Sequence, residues 1–314
     1  MSYAQYGKIE ASDYNTLIGT GTSANALNTV WSTGTSAFGY GQTALATVSV
    51  GALVGASEWA NLVNRTSNSA SHQSSSITSV TAPVAGGTIT YNANVVTNLQ
   101  TIYSNKLNAV SQSATSSNTA TYGSTWINAI TFTHTVSFAN GDAARYFFNS
   151  GGQLAVTCAH PAGSGINLLL NNLASNVGTV VLSSPTSGAA TIAGTSYNGI
   201  TRVGGGGNAP TISTNSGYYA LTTSNANVYY QTASTGPSGY LSTNINIFIK
   251  TNGTQGSNGD AGSIVTIYTV WDEIPNGLTV ATGSATTVTL RPPEVTNIAN
   301  TWGTPTLSGT VTGS

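Results

Sequence analysis

Apolar and polar residues alternate most clearly between residues 130 and 138. Ile130, Phe132, His134, Val136 and Phe138 are separated by threonine and serine. A period of two predicts a half-buried strand with a hydroxyl-bearing outer face. The same alternation predicts strands over residues 154–158, 244–250, 263–271 and 288–290. Short strands with frequent glycine and asparagine turns predict a mainly β fold, with an antiparallel β-sandwich or jelly-roll-like domain over residues 122–314.

Helical spacing dominates the first 83 residues. Residues 11–18 and 56–63 share the order Ala-Ser-acidic-aromatic, followed by leucine and an aliphatic residue. Ser12 or Asp13 is the expected cap of the first helix, and Ser57 that of the second. We therefore predict a helical docking region over residues 1–83. The candidate docking helices are those that carry Tyr14, Leu17, Trp59 and Leu62.

A third helix is predicted within residues 84–121, capped by Thr90 or Asn92 and carrying apolar residues from Val95 to Val110. Val96, Tyr103 and Val110 lie seven residues apart, as in a coiled-coil seam. Two heptads do not establish a coiled coil, and packing on the chain's own domain is the favoured interpretation. Residues 111–121 are rich in serine, threonine and alanine and are predicted to be a linker.

Charged residues are unusually scarce. The 314-residue chain has 7 Lys+Arg and 8 Asp+Glu, which is 5% of its residues, against about 25% in typical soluble domains. A net charge of −1 lacks the basic face that nucleic acid or an anionic membrane would require. No apolar run is long enough to cross a bilayer, and the first ten residues do not resemble a signal peptide. We expect synthesis in a reducing cytoplasm, and a surface covered by further copies or by partners.

The titratable residues do not form a recognisable catalytic or metal-binding motif. Cys158 and His160 could form a nucleophilic pair, but two residues apart on a strand they are more simply explained as neighbours on one face. The eight carboxylates suggest no facing pair of the kind that glycosidases use. We expect no enzymatic activity, no cofactor and no metal.

A group of tyrosines lies among serine, asparagine and glycine. Tyrosine offers a large contact area at a small entropic cost, which suits protein or glycan contacts. Packing of the same rings inside the sandwich is an equally acceptable interpretation. The candidate contact residues are Tyr218, Tyr219, Tyr229, Tyr230 and Tyr240.

Several segments of the first half resemble virion structural proteins of tailed bacteriophages, notably T4-like phages of cyanobacteria. They are residues 6–18 with 28–31 and 39–42, residues 57–63 with His72 and Gln73, and residues 140–154. In the last segment, Asn140-Gly-Asp is predicted to form a turn before a strand that ends at Gly151-Gly152. Arg145, one of four arginines, is expected to make a specific polar contact.

The resemblance implies assembly rather than a reaction. It implies a tail, neck or fibre component that docks through its N-terminal helices and associates with itself, with a trimer as the favoured stoichiometry, and with other virion proteins. Alternatives are a capsid decoration protein and an adhesin that binds glycans of the host surface. A bacterial surface-layer protein is the remaining alternative, and the N-terminal sequence counts against it.

Overall fold

A computed structural model describes residues 9–19, 26–32, 39–87, 89, 93–113, 115–185, 188–206, 211–212, 217–233, 240–255, 261–272, 274 and 277–313. The protein is mainly β, with two antiparallel sheets and a smaller number of helices. The predicted fold class, consistent with a β-sandwich, is confirmed.

Four helices precede the sheets: α1 (Ala11–Ile18), α2 (Leu27–Trp31), α3 (Ala56–His72) and α4 (Asn94–Ser104). Glu10 caps α1 through a capping box with Asp13, so the cap lies before the predicted position. α3 begins after Gly55 rather than at Ser57, and it is about twice as long as predicted.

The coiled-coil alternative for the third predicted helix is wrong. α4 ends at Ser104, so Val110 lies outside the helix and cannot extend a seam with Val96 and Tyr103. α4 packs against α2 and α3 instead, which confirms the favoured interpretation. The predicted caps Thr90 and Asn92 lie outside the described residues.

One sheet has five strands and the other has six. In spatial order, the first sheet consists of β1 (Ser116–Thr121), β12 (Ala285–Arg291), β3 (Gln153–Ala159), β4 (Thr179–Leu182) and β7 (Ile200–Val203). The second consists of β13 (Thr306–Gly313), β2 (Ile130–Ser137), β11 (Ile264–Asp272), β10 (Asn244–Thr251), β9 (Ala226–Thr232) and β8 (Thr211–Ile212). A small hairpin joins β5 (Ala190–Ile192) to β6 (Thr195–Tyr197).

Two segments differ from the sequence prediction. The predicted linker contains β1, because its threonines and serines pair with β12 at the sheet edge. The predicted turn and strand after Asn140 form helix α5 (Gly141–Asn149). The Asn140 side chain accepts a hydrogen bond from the Ala143 amide (2.8 Å), so asparagine acts here as a helix cap. A further helix, α6 (Ile166–Val177), contacts strands of both sheets.

The helices and the sheets share one hydrophobic core. Buried side chains of the N-terminal helices, such as Leu17 and Trp59, belong to the same cluster as Phe132 and Trp271 of the six-stranded sheet. The predicted alternation of β2 is confirmed, since Ile130, Phe132, His134 and Val136 are buried while the intervening threonines are partly exposed. The N-terminal helices are therefore part of the sandwich's own packing.

Candidate functional site

The four residues that mark the candidate docking helices face inward. Tyr14, Leu17, Trp59 and Leu62 are each at most 1% exposed, so none can contact a partner in this conformation. Burial, assisted by the negative charge of Glu58, raises the pKa of the Tyr14 hydroxyl to about 12. These residues fix the helices to the core of this chain.

The five candidate tyrosines do not form one surface. Tyr218 stacks on Phe148 with ring centroids 4.2 Å apart, and its hydroxyl donates to the Gly262 carbonyl (3.1 Å). Tyr218 and Tyr229 are fully buried, as expected if these rings pack inside the sandwich. Tyr219, Tyr230 and Tyr240 are only partly exposed. A continuous exposed tyrosine groove is therefore absent from the described residues.

A buried polar cluster, here called the junction, connects the N-terminal region to the rest of the protein. It consists of Tyr40, Gln42, His72, Gln73, Asn149, Ser150 and Glu294, all of which are less than 9% exposed. Gln73 donates to the Tyr40 hydroxyl (2.7 Å), which donates to the Lys106 carbonyl (2.9 Å). Asn149 donates to the Gly39 carbonyl at 3.1 Å. Gln42 exchanges hydrogen bonds with the backbone of Ala299.

His72 and Glu294 form the most polar contact of the junction. His72 Nε2 donates to the Ser150 carbonyl (3.1 Å), and Nδ1 lies 3.5 Å from Glu294 Oε1. Burial lowers the pKa of His72, and attraction to Glu294 only partly offsets this effect. Burial opposes ionisation of Glu294 as well, but hydrogen bonds from Thr296 and Asn297, together with His72, lower the pKa of this carboxyl overall.

The junction unites three separate segments of the chain. Tyr40 and Gln42 come from residues 39–42, His72 and Gln73 end α3, and Asn149 and Ser150 end α5. Their shared task in this structure is to hold the N-terminal region against the sandwich. In the same α5 segment, buried Arg145 pairs with Asp142 (3.1 Å), which confirms the expected polar contact of this arginine.

Cys158 and His160 do not form a nucleophilic pair. Burial raises the pKa of the Cys158 thiol to about 12, despite a hydrogen bond with Thr286 that acts in the opposite direction. Both ring nitrogens of His160 are engaged elsewhere, Nδ1 with Ser284 Oγ (2.9 Å) and Nε2 with Asn167 Oδ1 (3.1 Å). A thiol without an adjacent base and with so high a pKa is a poor nucleophile at neutral pH.

The other titratable groups are dispersed. Among the described residues, no group of three or more His, Cys, Asp and Glu side chains lies close enough together to hold a metal ion. His134 lies inside the sandwich, and neither of its ring nitrogens has a hydrogen-bond partner. Burial lowers its pKa, and the nearby Asn118 backbone acts in the opposite direction. Asp260 and Glu273 lie outside the described residues.

An apolar groove of about 840 Å³ lies at the start of α1. Ile9 and Glu10 form one side of it, residues 50–54 another, and Gly86 and Gly87 a third. Val50 and Leu53 on its rim are 94% and 88% exposed, and Val84 nearby is 74% exposed. Sequence reasoning missed this surface, because it assigned the apolar residues of the N-terminal region to amphipathic helices, whereas Val50 and Leu53 lie in the loop before α3.

The surface is poor in charge. Lys8, Asp260 and Glu273 lie outside the described residues, and of the other twelve charged residues only Glu10 is exposed. Arg145 and Glu294 are buried, and the rest are partly buried. Glu10 lies in the apolar groove. None of the described helices is both long enough and apolar enough to span a membrane.

Comparison of the chain with models of protein families, with curated proteins and with solved structures finds no match.

Proposed function

We propose that this protein is a non-enzymatic structural component of a tailed-phage virion, a part of the tail, neck or fibre that acts by associating with itself and with other virion proteins. The observation that carries the proposal is the scarcity of charge, since only 5% of the residues are charged and, of the twelve charged residues described, one is exposed, nine are partly exposed and two are buried. Charge keeps free proteins apart in solution, so a surface poor in charge suits a protein whose faces are covered in an assembly.

The junction supports the same proposal. Segments that resemble phage virion proteins supply its buried hydrogen bonds, which join the N-terminal region to the sandwich. A rigid connection of this kind suits a protein that transmits position or force rather than one that opens around a substrate. The high pKa of Cys158 and the occupied ring of His160 favour a role without nucleophilic catalysis.

The apolar groove is the surface through which the N-terminal region would dock. Val50 and Leu53 offer exposed apolar contacts, and Glu10 adds one negative charge at the edge. The neighbour that fits this groove is a virion protein with an apolar segment flanked by a lysine or arginine. This surface replaces the inward-facing side chains of α1 and α3 as the candidate for docking.

Immunogold labelling of purified particles tests the proposal. An antibody against this protein is expected to decorate intact particles of the phage that encodes it, at the tail, the neck or the fibres. Gold on the head alone would favour the decoration protein. Particles without gold, with the protein confined to the soluble lysate, would exclude a virion component. The matched control is an antibody against a non-structural protein of the same phage.

A further inference from the structure

The edge strands on one side of the sandwich differ from those on the other side. On one side the edge strands are β7, which has four residues and carries Arg202, and β8, of which Thr211 and Ile212 are described. On the other side they are β1 and β13, with six and eight residues and no charged side chain or proline in either. Edge strands are normally protected by shortness, charge, proline or bulges, because their free backbone groups can pair with another chain. β1 and β13 therefore form an unprotected side of the sandwich.

β13 is the longer of these two open edges. It pairs with β2 along its whole length, from Thr306 opposite Ser137 to Gly313 opposite Ile130, and no other described strand pairs with it. Its inward face packs beneath β1, where Gly309 lies so close to Asn118 that a side chain would clash. β1 thus covers one face of β13, while none of the described residues pairs with the backbone along its outer edge.

The outward face of β13 is a row of hydroxyls. Thr306, Ser308, Thr310 and Thr312 are all exposed. Hydroxyl pairs across antiparallel strands already occur in this protein. Between β1 and β12, the Ser117 hydroxyl oxygen lies 2.8 Å from that of Thr289. The Thr119 hydroxyl oxygen lies 2.8 Å from that of Thr287. Such pairs stabilise antiparallel strands, and they are equally possible between two copies of the same strand.

We propose that β13 pairs edge to edge with β13 of a second copy of this chain, in antiparallel orientation about a two-fold axis. An antiparallel pair requires this axis to be perpendicular to the sheet, so outward hydroxyls meet outward hydroxyls and the six-stranded sheet continues across the dimer. A second copy fits this edge better than a charged partner strand does. Two uncharged strands do not repel each other, and an uncharged strand cannot form an ion pair with a charged one. This interface rests on the proposed function, for which it supplies one self-association contact.

Charge placed at Thr310 tests this interface in the full-length chain. Sedimentation equilibrium from low to high micromolar concentration is expected to show a wild-type dimer. Thr310→Lys places like charges against each other across the axis and is expected to raise the dimer dissociation constant at least about tenfold. Thr310→Glu should do the same, and an equimolar mixture of the two variants should recover association. Thr223→Lys, which adds the same charge in an exposed loop before β9, is the control expected to dimerise like wild type.

Three results would overturn the interface: a wild-type chain that stays monomeric, a wild-type oligomer that Thr310→Lys leaves intact, or a Lys and Glu mixture that does not recover. Circular dichroism of each variant excludes misfolding as the cause of lost association. None of these results bears on whether the protein is found in particles, which immunogold labelling decides separately. The failure of this interface and the failure of the proposed function are thus distinguished.

Discussion

His72 Nδ1 lies 3.5 Å from Glu294 Oε1, so the last residue of α3 meets the segment that follows β12 inside the protein. His72 Nε2 donates at the same time to the Ser150 carbonyl at the end of α5. One imidazole thus connects three parts of the chain that are far apart in sequence. The N-terminal helices and the sandwich are expected to unfold together because this contact and the core span both.

Glu294→Ala should destabilise the protein by about 2 kcal/mol, because it removes a buried acceptor that serves the Thr296 amide and the Asn297 side chain. Urea unfolding measures this loss. Thr223→Ala, in an exposed loop before β9, is the control and should cost less than about 0.5 kcal/mol. Equal effects of the two changes would mean that the junction contributes nothing specific.

The stability of the protein should fall as the pH drops below about 6.5, the ordinary histidine value. Burial lowers the pKa of His72, His134 and His160 in the folded state, so the unfolded chain binds protons first. Stability is then fully present above that pH and is lost as protons bind on acidification. Glu294, whose pKa is also lowered, adds a further loss in the acid range of carboxyl groups.

Thermal midpoints at pH 8 and pH 5 measure this dependence. His134→Gln keeps a polar side chain that does not titrate, so this variant should lose less stability between the two pH values than wild type. Equal midpoints at both pH values in the wild type would contradict the prediction. An unchanged difference in His134→Gln would show that His134 takes no part in it.

Gly309→Ala should destabilise the sandwich by roughly 1 to 3 kcal/mol, the range for overpacking. A Cβ at this position would clash with Asn118 Oδ1 and approach the His134 ring. Gly123→Ala is the matched control, because a Cβ there meets no atom within 4 Å. Guanidinium unfolding of both variants checks the prediction, and a Gly309→Ala protein as stable as Gly123→Ala would argue against close approach of β1 and β13.

The Cys158 thiol, although partly exposed, should react slowly in the folded protein. With a pKa of about 12, its thiolate fraction at pH 8 is at least about a hundredfold below that of a free cysteine. Iodoacetamide at pH 8 should modify the native chain slowly and the chain in urea quickly, as measured by mass spectrometry. Comparable rates in the two states would restore Cys158 as a candidate nucleophile.

Loss of the Arg145 side chain should be costly. Arg145→Ala should lower the free energy of unfolding by roughly 3 kcal/mol, since it removes a fully buried side chain that pairs with Asp142 and lies over the Tyr146 ring. Asp142→Asn should cost less, because the Asp142 side chain is 30% exposed. If Arg145→Ala were no worse than Asp142→Asn, the arginine would contribute only its ion pair.

The strands were largely predictable from the sequence. The alternation from Ile130 to Val136 and the β-branched runs of β10 and β11 are properties of neighbouring residues, and these strands formed where the pattern indicated. The signal for α5 was also local, since Asn140 can begin either a turn or a helix. The sequence prediction took Asn140 as the start of a turn. In the structure Asn140 begins helix α5, on which Phe147 and Phe148 are buried.

Which side of each element faces a neighbour was decided by the tertiary structure. Sequence patterns placed Tyr14 and Trp59 on apolar helix faces but could not show that the core of this same chain covers those faces. The open edge of β13 and the junction of Tyr40, His72 and Glu294 depend on which strands and helices become neighbours. Local propensity acts over a few residues, whereas these contacts join residues far apart along the chain, so only the folded topology determines them.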